Sequence, residues 1–471
     1  MKAPDEGGRR GKNRKATDGV SGLHPAFRWL PVAALLVVIC GVFWRQALPD
    51  TDWEALQTKH YWSAAKWYYG GYAFQFVDTP KGYRTIQRES LSNYSNLFAV
   101  QETAAPENAR QHVTGFPATE RLLVPFLLYL LLHVTAGTIN IWTLFWMLNV
   151  GFWLLAIYFT YQIARRFFAE PFSAWMAAIL TALYPVLTIT FNAIKVQAMG
   201  TVYLLAGIFL FEAYLRAVRT PEKIVGLTAL MGLGMFANGG WLYIAAYLFL
   251  RAPWLPARER WTTLAGVLIA VVVARGGLHW LSAKYSLPSV EQYMGFDLKR
   301  TVGDSWRWVM TWVRGGDVSG LKLLNYSGMT FFSGFLALIA RCFLIVHWPV
   351  VVIAALGLFI AGPTRMFLAF ALPMLLVGHS GTMITGWVFY YSYASFPAAI
   401  MLIFSAAGFL GWLAQSQIRP RYVLVFVVIA VAGWNFGREK LQAGIYYGGE
   451  PDGLQRNLSI YYGDDRKPVR Y

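Results

Sequence analysis

Cysteine and acidic residues are the scarcest informative groups in this chain. Only two of 471 residues are Cys, and 24 Asp+Glu stand against 41 Lys+Arg. Cys40 and Cys342 both fall within apolar stretches and form no CxxC. That excludes a disulfide framework and a thiolate metal site. GxxxxGK[ST] and HExxH are absent, and Gly11-Lys12 lacks both the upstream glycine and the Ser/Thr of a P-loop. With no sizeable cytoplasmic domain, direct use of a soluble nucleotide-sugar is not expected. The net charge of +17 has no basic stripe interleaved with aromatics on a soluble module, so nucleic acid is not an expected partner. Basic residues instead mark cytoplasmic loops and attract anionic head groups.

What is abundant is apolar. The chain is 56% hydrophobic and 17% aromatic, with only 14% charged residues. Apolar runs approaching the ~20 residues needed to cross a bilayer recur along it. The expected fold is all-α, a polytopic transmembrane helical protein with about 11 spans.

The N-terminus, residues 1–29, is basic (Arg9, Arg10, Lys12, Arg14, Lys15) and leads into apolar Leu30–Trp44 without a small-x-small cleavage site. It reads as a retained signal-anchor with a cytoplasmic N-terminus. A polar outer loop follows over 49–119, rich in Tyr and Trp, suited to short helices lying at the interface. The run 121–137 poses a choice. If it crossed, Arg165-Arg166 would fall outside; if it lies in the plane, Arg165-Arg166, then Arg216, Arg219 and Lys223, then Arg251, Arg258 and Arg260 all fall inside. The in-plane reading is therefore expected. Spans are predicted near 142–163, 172–192, 198–215, 223–237, 241–251 and 261–281, the pair around Asn238-Gly239-Gly240 being short for full crossings. Residues 30–281 then form one transmembrane module. A second outer loop occupies 282–328, C-terminal transmembrane helices 329–436, and an outer Tyr-rich tail 437–471.

Asp50-Thr51-Asp52, with Glu54 nearby, follows the first span and opens the early outer loop. A DxD alone is a weak signal, and its bland alternative is a solvated juxtamembrane turn. Its position, together with Arg121-x-x-x-Pro125, Asn140, Asn149, Arg165-Arg166 and Tyr184-Pro185, resembles the GT-C superfamily of integral-membrane glycosyltransferases over roughly residues 30–220. These include protein O-mannosyltransferases and aminoarabinose transferases. The resemblance implies in-plane juxtamembrane helices in the first outer loop, and an acid there serving as catalytic base or metal contact. Many members carry an acid beyond the third span, where this chain has Lys195 and Gln197.

Sugar transfer from a polyprenyl-phosphate carrier needs a base for the acceptor hydroxyl and stabilisation of the departing phosphate. Asp50 and Asp52 are the candidate catalytic acids, and also the candidate ligands for a divalent Mg or Mn ion. Arg121, Lys195 and Arg275 are the candidate substrate contacts; a cation in an apolar span normally faces protein or water. The expected function is transfer of a sugar from a lipid-phosphate carrier to a glycan, lipid or protein acceptor. The expected place is the outer face of a bacterial inner membrane, with the C-terminus periplasmic. Two alternatives stand beside it. A polysaccharide polymerase or ligase would place its chemistry in 282–328, around Arg300, Arg307 and Arg314. A non-catalytic scaffold would dock a protein partner through the Tyr-rich tail.

Overall fold

A computed structural model describes residues 30–44, 123–139, 141–184, 197–237, 240–284, 310–311, 314, 348–385 and 396–415. Of these residues 89% are helical, which agrees with the all-α expectation. The longer helices are α1 (Leu30–Trp44), α2 (Leu123–Val134), α3 (Ile141–Phe167), α4 (Pro171–Ala182), α5 (Gln197–Leu210) and α6 (Thr220–Met235). After them come α7 (Gly240–Arg251), α8 (Ala257–Lys284), α9 (Trp348–Leu356), α10 (Pro363–Thr385) and α11 (Phe396–Gln415).

Among the described residues, three stretches are long and apolar enough to cross a bilayer: Met147–Phe167, Ala257–Trp280 and Phe396–Gln415. Shorter apolar helices cover Pro171–Ala182, Met199–Leu215, Pro349–Phe359 and Pro363–Leu375. Helices α3 to α8 occupy the positions predicted as spans from 142 to 281; described helix within 172–192 ends at Ala182, and of these six helices α3 and α8 contain the stretches long and apolar enough to cross.

Local chemistry sets the boundaries. Glu170 and Arg219 are extended before Pro171 and Pro221, which open α4 and α6 with a fixed φ and no missing helical donor. Arg165 and Arg166 close α3, and Arg251 closes α7, cations placed against the negative ends of the helix dipoles. α2 stops where Ala136 and Gly137 take φ of 49° and 68°, with Gly137 N donating to Leu132 O at 2.9 Å.

The core is aromatic and alanine-rich. Phe367 of α10 lies 4.7 Å from Phe404 of α11 and 4.9 Å from Phe167 of α3, ring centre to ring centre. α4 is buried between α3 and α11, while α6 packs on α8 and α5 on α3. Ser405 Oγ donates to Ala354 O at 3.0 Å, satisfying a buried hydroxyl while joining α11 to α9.

Helix directions gather the basic termini at one end. Phe167 packs under Arg251 and against Phe367, Arg216 pairs with Glu259, and Gln415 Nε2 donates to Glu170. The ends of α3, α5, α7 and α11 thus meet the starts of α4, α8 and α10. Arg165, Arg166, Arg216, Arg219, Lys223, Arg251, Arg258, Arg260 and Arg365 all belong to this arginine end. The common side expected for three basic loops is therefore realised in the bundle.

α2 does not start there. Leu123 N donates to Phe236 O, just past the opposite end of α6, and Val134 leads through a short turn into the first residues of α3. Both ends of α2 lie away from the arginines.

Candidate functional site

α8 provides a depth scale. Its exposed face carries Trp261, Leu268, Ile269, Val272, Val273 and Trp280. The two indoles stand 19 residues apart, about 28 Å along the axis. Hydrocarbon cores are about 30 Å thick, and Trp prefers their two boundaries. The stripe between the indoles therefore has the length and chemistry of a lipid-facing surface.

Arg275 lies five residues before Trp280, about 7 Å inside that upper boundary. It is only partly exposed, and its guanidinium carbon sits 5.5 Å from the ring centre of Trp241. Trp241 belongs to the start of α7, immediately after the α6–α7 turn. α6 and α7 have 16 and 12 residues, so they rise only about 24 and 18 Å from the arginine end. Their turn stops at depth, and Arg275 meets the protein there. A Cβ added at Gly276 or Gly277 would meet nothing within 4 Å among the described residues, so there the backbone beside Arg275 is open to close approach.

Asn149 lies 18 residues before the end of α3, about 27 Å above the arginine end, and Arg275 is equally far from the start of α8. Asn149 is 1% exposed, and its Nδ2 has no hydrogen-bond partner among the described residues. A buried amide donor with no partner costs about 1–3 kcal/mol. Thr181 on α4, about 15 Å from the start of that helix, and Thr201 on α5 also have buried hydroxyls without a partner among the described residues.

The arginine end is built differently. Where α5 widens into a π-helical turn, Phe211–Leu215, Glu212 is buried with a side chain 4% exposed. Its Oε1 accepts from Arg251 Nε at 2.7 Å and from Tyr247 Oη at 3.1 Å; its Oε2 accepts from Arg216 Nη1 at 3.2 Å. Arg251 also donates to Trp254 O at 3.2 Å and stacks on Phe167. Arg216 Nε reaches Glu259 at 3.6 Å, an ion-pair distance too long for a hydrogen bond. Lys223 Nζ, on α6, donates to Thr262 Oγ1 of α8 at 3.3 Å. Both acids here are already paired with arginine, so the cluster holds helix ends together.

Of the residues singled out from the sequence, Arg275 is described and meets Trp241. Asp50, Asp52, Arg121 and Lys195 lie outside the described residues, as do loop 49–119, Arg300, Arg307 and tail 437–471. Arg314 occupies a turn, bonded through its N to Met310 O at 3.2 Å. Among the described residues, no group of three or more His, Cys, Asp or Glu side chains is placed to hold a metal ion. The Glu212 cluster was missed from sequence, although a lone acid inside the apolar run 198–215 was the signal available for it. Comparison of the chain with protein-family models, with curated proteins and with solved structures finds no match.

Proposed function

We propose that this chain is a GT-C-like membrane glycosyltransferase. It moves a sugar from a polyprenyl-phosphate carrier to a glycan, lipid or protein acceptor. The observation that carries this reading is the placement of Arg275. A cation held about 7 Å inside the upper boundary of a lipid-facing helix, beside Trp241 and two unobstructed glycines, suits the phosphate of a lipid whose chain stays in the bilayer. Buried Asn149 lies at the same height, away from the arginines.

In this reading the arginine end faces the cytoplasm and the Arg275 end faces the periplasm of a bacterial inner membrane. About 11 spans complete the fold, the N-terminus is cytoplasmic and the C-terminus periplasmic. Asp50 and Asp52 follow α1 and enter the site from the first outer loop. One of them takes the proton of the acceptor hydroxyl as its oxygen attacks the anomeric carbon. The anomeric C–O bond to the carrier phosphate breaks, and Arg275, with Arg121 and Lys195, stabilises the departing phosphate. If a divalent Mg or Mn ion takes part, the two aspartates supply its oxygen ligands.

The test is transfer by the purified chain, reconstituted in liposomes with a panel of polyprenyl-phosphate sugars and membrane acceptors. An Asp50→Asn/Asp52→Asn variant should keep its melting temperature and lose transfer by at least about 100-fold, the lower range for general-base catalysis. Full transfer by that folded variant would overturn the assignment.

A further inference from the structure

The arginine end carries a second surface, unrelated to sugar transfer. The ion pair between Arg216 and Glu259 brings the end of α5 to the start of α8, and the bond from Lys223 to Thr262 fastens α6 beside them. Arg219, three residues after Arg216, and Arg258, next to Glu259, are exposed at this junction. Glu212 and Glu259 are both engaged by arginines, so they do not cancel these outer charges. The exposed acid that remains on this rim is Glu222.

Directly below the rim the surface turns apolar. On α8, Arg258 and Trp261 lie within 60° of each other, on the same face as Leu268 and Val272. Trp261 is 68% exposed, and Leu268 and Val272 beyond it on α8 are 57% and 70% exposed. Cations above, an indole at the boundary and aliphatic side chains beneath match the order of phosphate, glycerol and acyl chain in a phospholipid. An isolated free anion would have no use for the lower half of this arrangement.

We propose that the Arg216–Arg219–Arg258 rim, with Trp261, Leu268 and Val272 beneath it, is a docking surface for an anionic phospholipid of the surrounding leaflet. Arg219 and Arg258 contact the head-group phosphate. Arg216, fixed between Glu212 and Glu259, sets the spacing between them. Trp261 holds the glycerol, and Leu268 and Val272 line the acyl chain.

The experiment uses the full chain in detergent, titrated with phosphatidylglycerol or phosphatidylcholine and read by native mass spectrometry. Wild type should retain phosphatidylglycerol in preference to phosphatidylcholine. Arg219→Gln/Arg258→Gln should weaken that retention by about tenfold or more, since each basic residue near a surface contributes roughly a fivefold factor. Glu222→Gln, a change that removes no contact named above, should strengthen it. Arg365→Gln, at the same end but on α10, should leave it unchanged. Equal retention of the two lipids by wild type would overturn the proposal. So would undiminished retention by the double variant, or an equal loss in Arg365→Gln. If the double variant does not fold, an unchanged Glu222→Gln overturns the proposal by itself.

Discussion

Arg251 and Glu212 meet at 2.7 Å across 39 residues of sequence, joining the last turn of α7 to the π-helical turn that ends α5. Both side chains are buried, and Arg216 and Tyr247 complete the coordination of the carboxylate. Glu212→Ala leaves Arg251 buried without its counter-charge, and the expected loss is about 3–5 kcal/mol of stability. Glu212→Gln keeps one acceptor and should lose less. Thermal unfolding in detergent, followed by circular dichroism, orders the three proteins. A Glu212→Ala variant as stable as wild type would mean the pair is not buried as described.

Arg275 is expected to matter for lipid-phosphate retention rather than for folding. Arg275→Gln should lower affinity for a polyprenyl phosphate by about 10–100-fold, the scale of one or two charge-assisted hydrogen bonds. Trp241→Leu, which removes only the ring beneath the cation, should cost about 0.5–2 kcal/mol. Microscale binding with a fluorescent polyprenyl phosphate separates these effects from changes in melting temperature. Equal affinity in wild type and Arg275→Gln would remove the phosphate role.

The lipid-facing stripe of α8 gives a residue-by-residue expectation. Spin labels at Leu268→Cys and Val272→Cys, in a Cys40→Ala/Cys342→Ala background, should be accessible to oxygen and shielded from a water-soluble nickel chelate. A label at Ala270→Cys, on the buried face, should be accessible to neither. Accessibility to the chelate along the whole stripe would place this face in water.

Phe367 is fully buried where α3, α10 and α11 converge. Phe367→Ala should destabilise by about 3–5 kcal/mol, while Phe367→Leu should retain most of the packing. A melting temperature unchanged by Phe367→Ala would show that the three helices do not depend on this contact.

The course of the bundle from α3 to α8 was legible because it rests on local signals. Apolar runs bounded by Arg165-Arg166, by Arg219-Thr220-Pro221 and by Arg251 name their own ends, through dipole pairing and proline. The shared side of the basic loops was legible too, since charge asymmetry does not depend on knowing contacts. The partners of the charges were not. Nothing near Glu212 in sequence announces Arg251, because that pairing is fixed by how α5 and α7 pack. Nor does a motif announce Arg275 beside Trp241, 34 residues away, where the shortness of α6 and α7 sets the depth. The acids expected to perform the chemistry, Asp50 and Asp52, lie in a loop outside the described residues.

The Glu212–Arg251 pair also has a consequence for biosynthesis. At about 5–20 residues per second, the 39 residues between them take roughly 2–8 s to emerge. During that interval Glu212 has only Arg216, from its own helix, as a counter-charge. α5 therefore emerges carrying an acid that is fully matched only when α7 follows. The complete pairing of Glu212 thus depends on the whole stretch from 197 to 251 having been made.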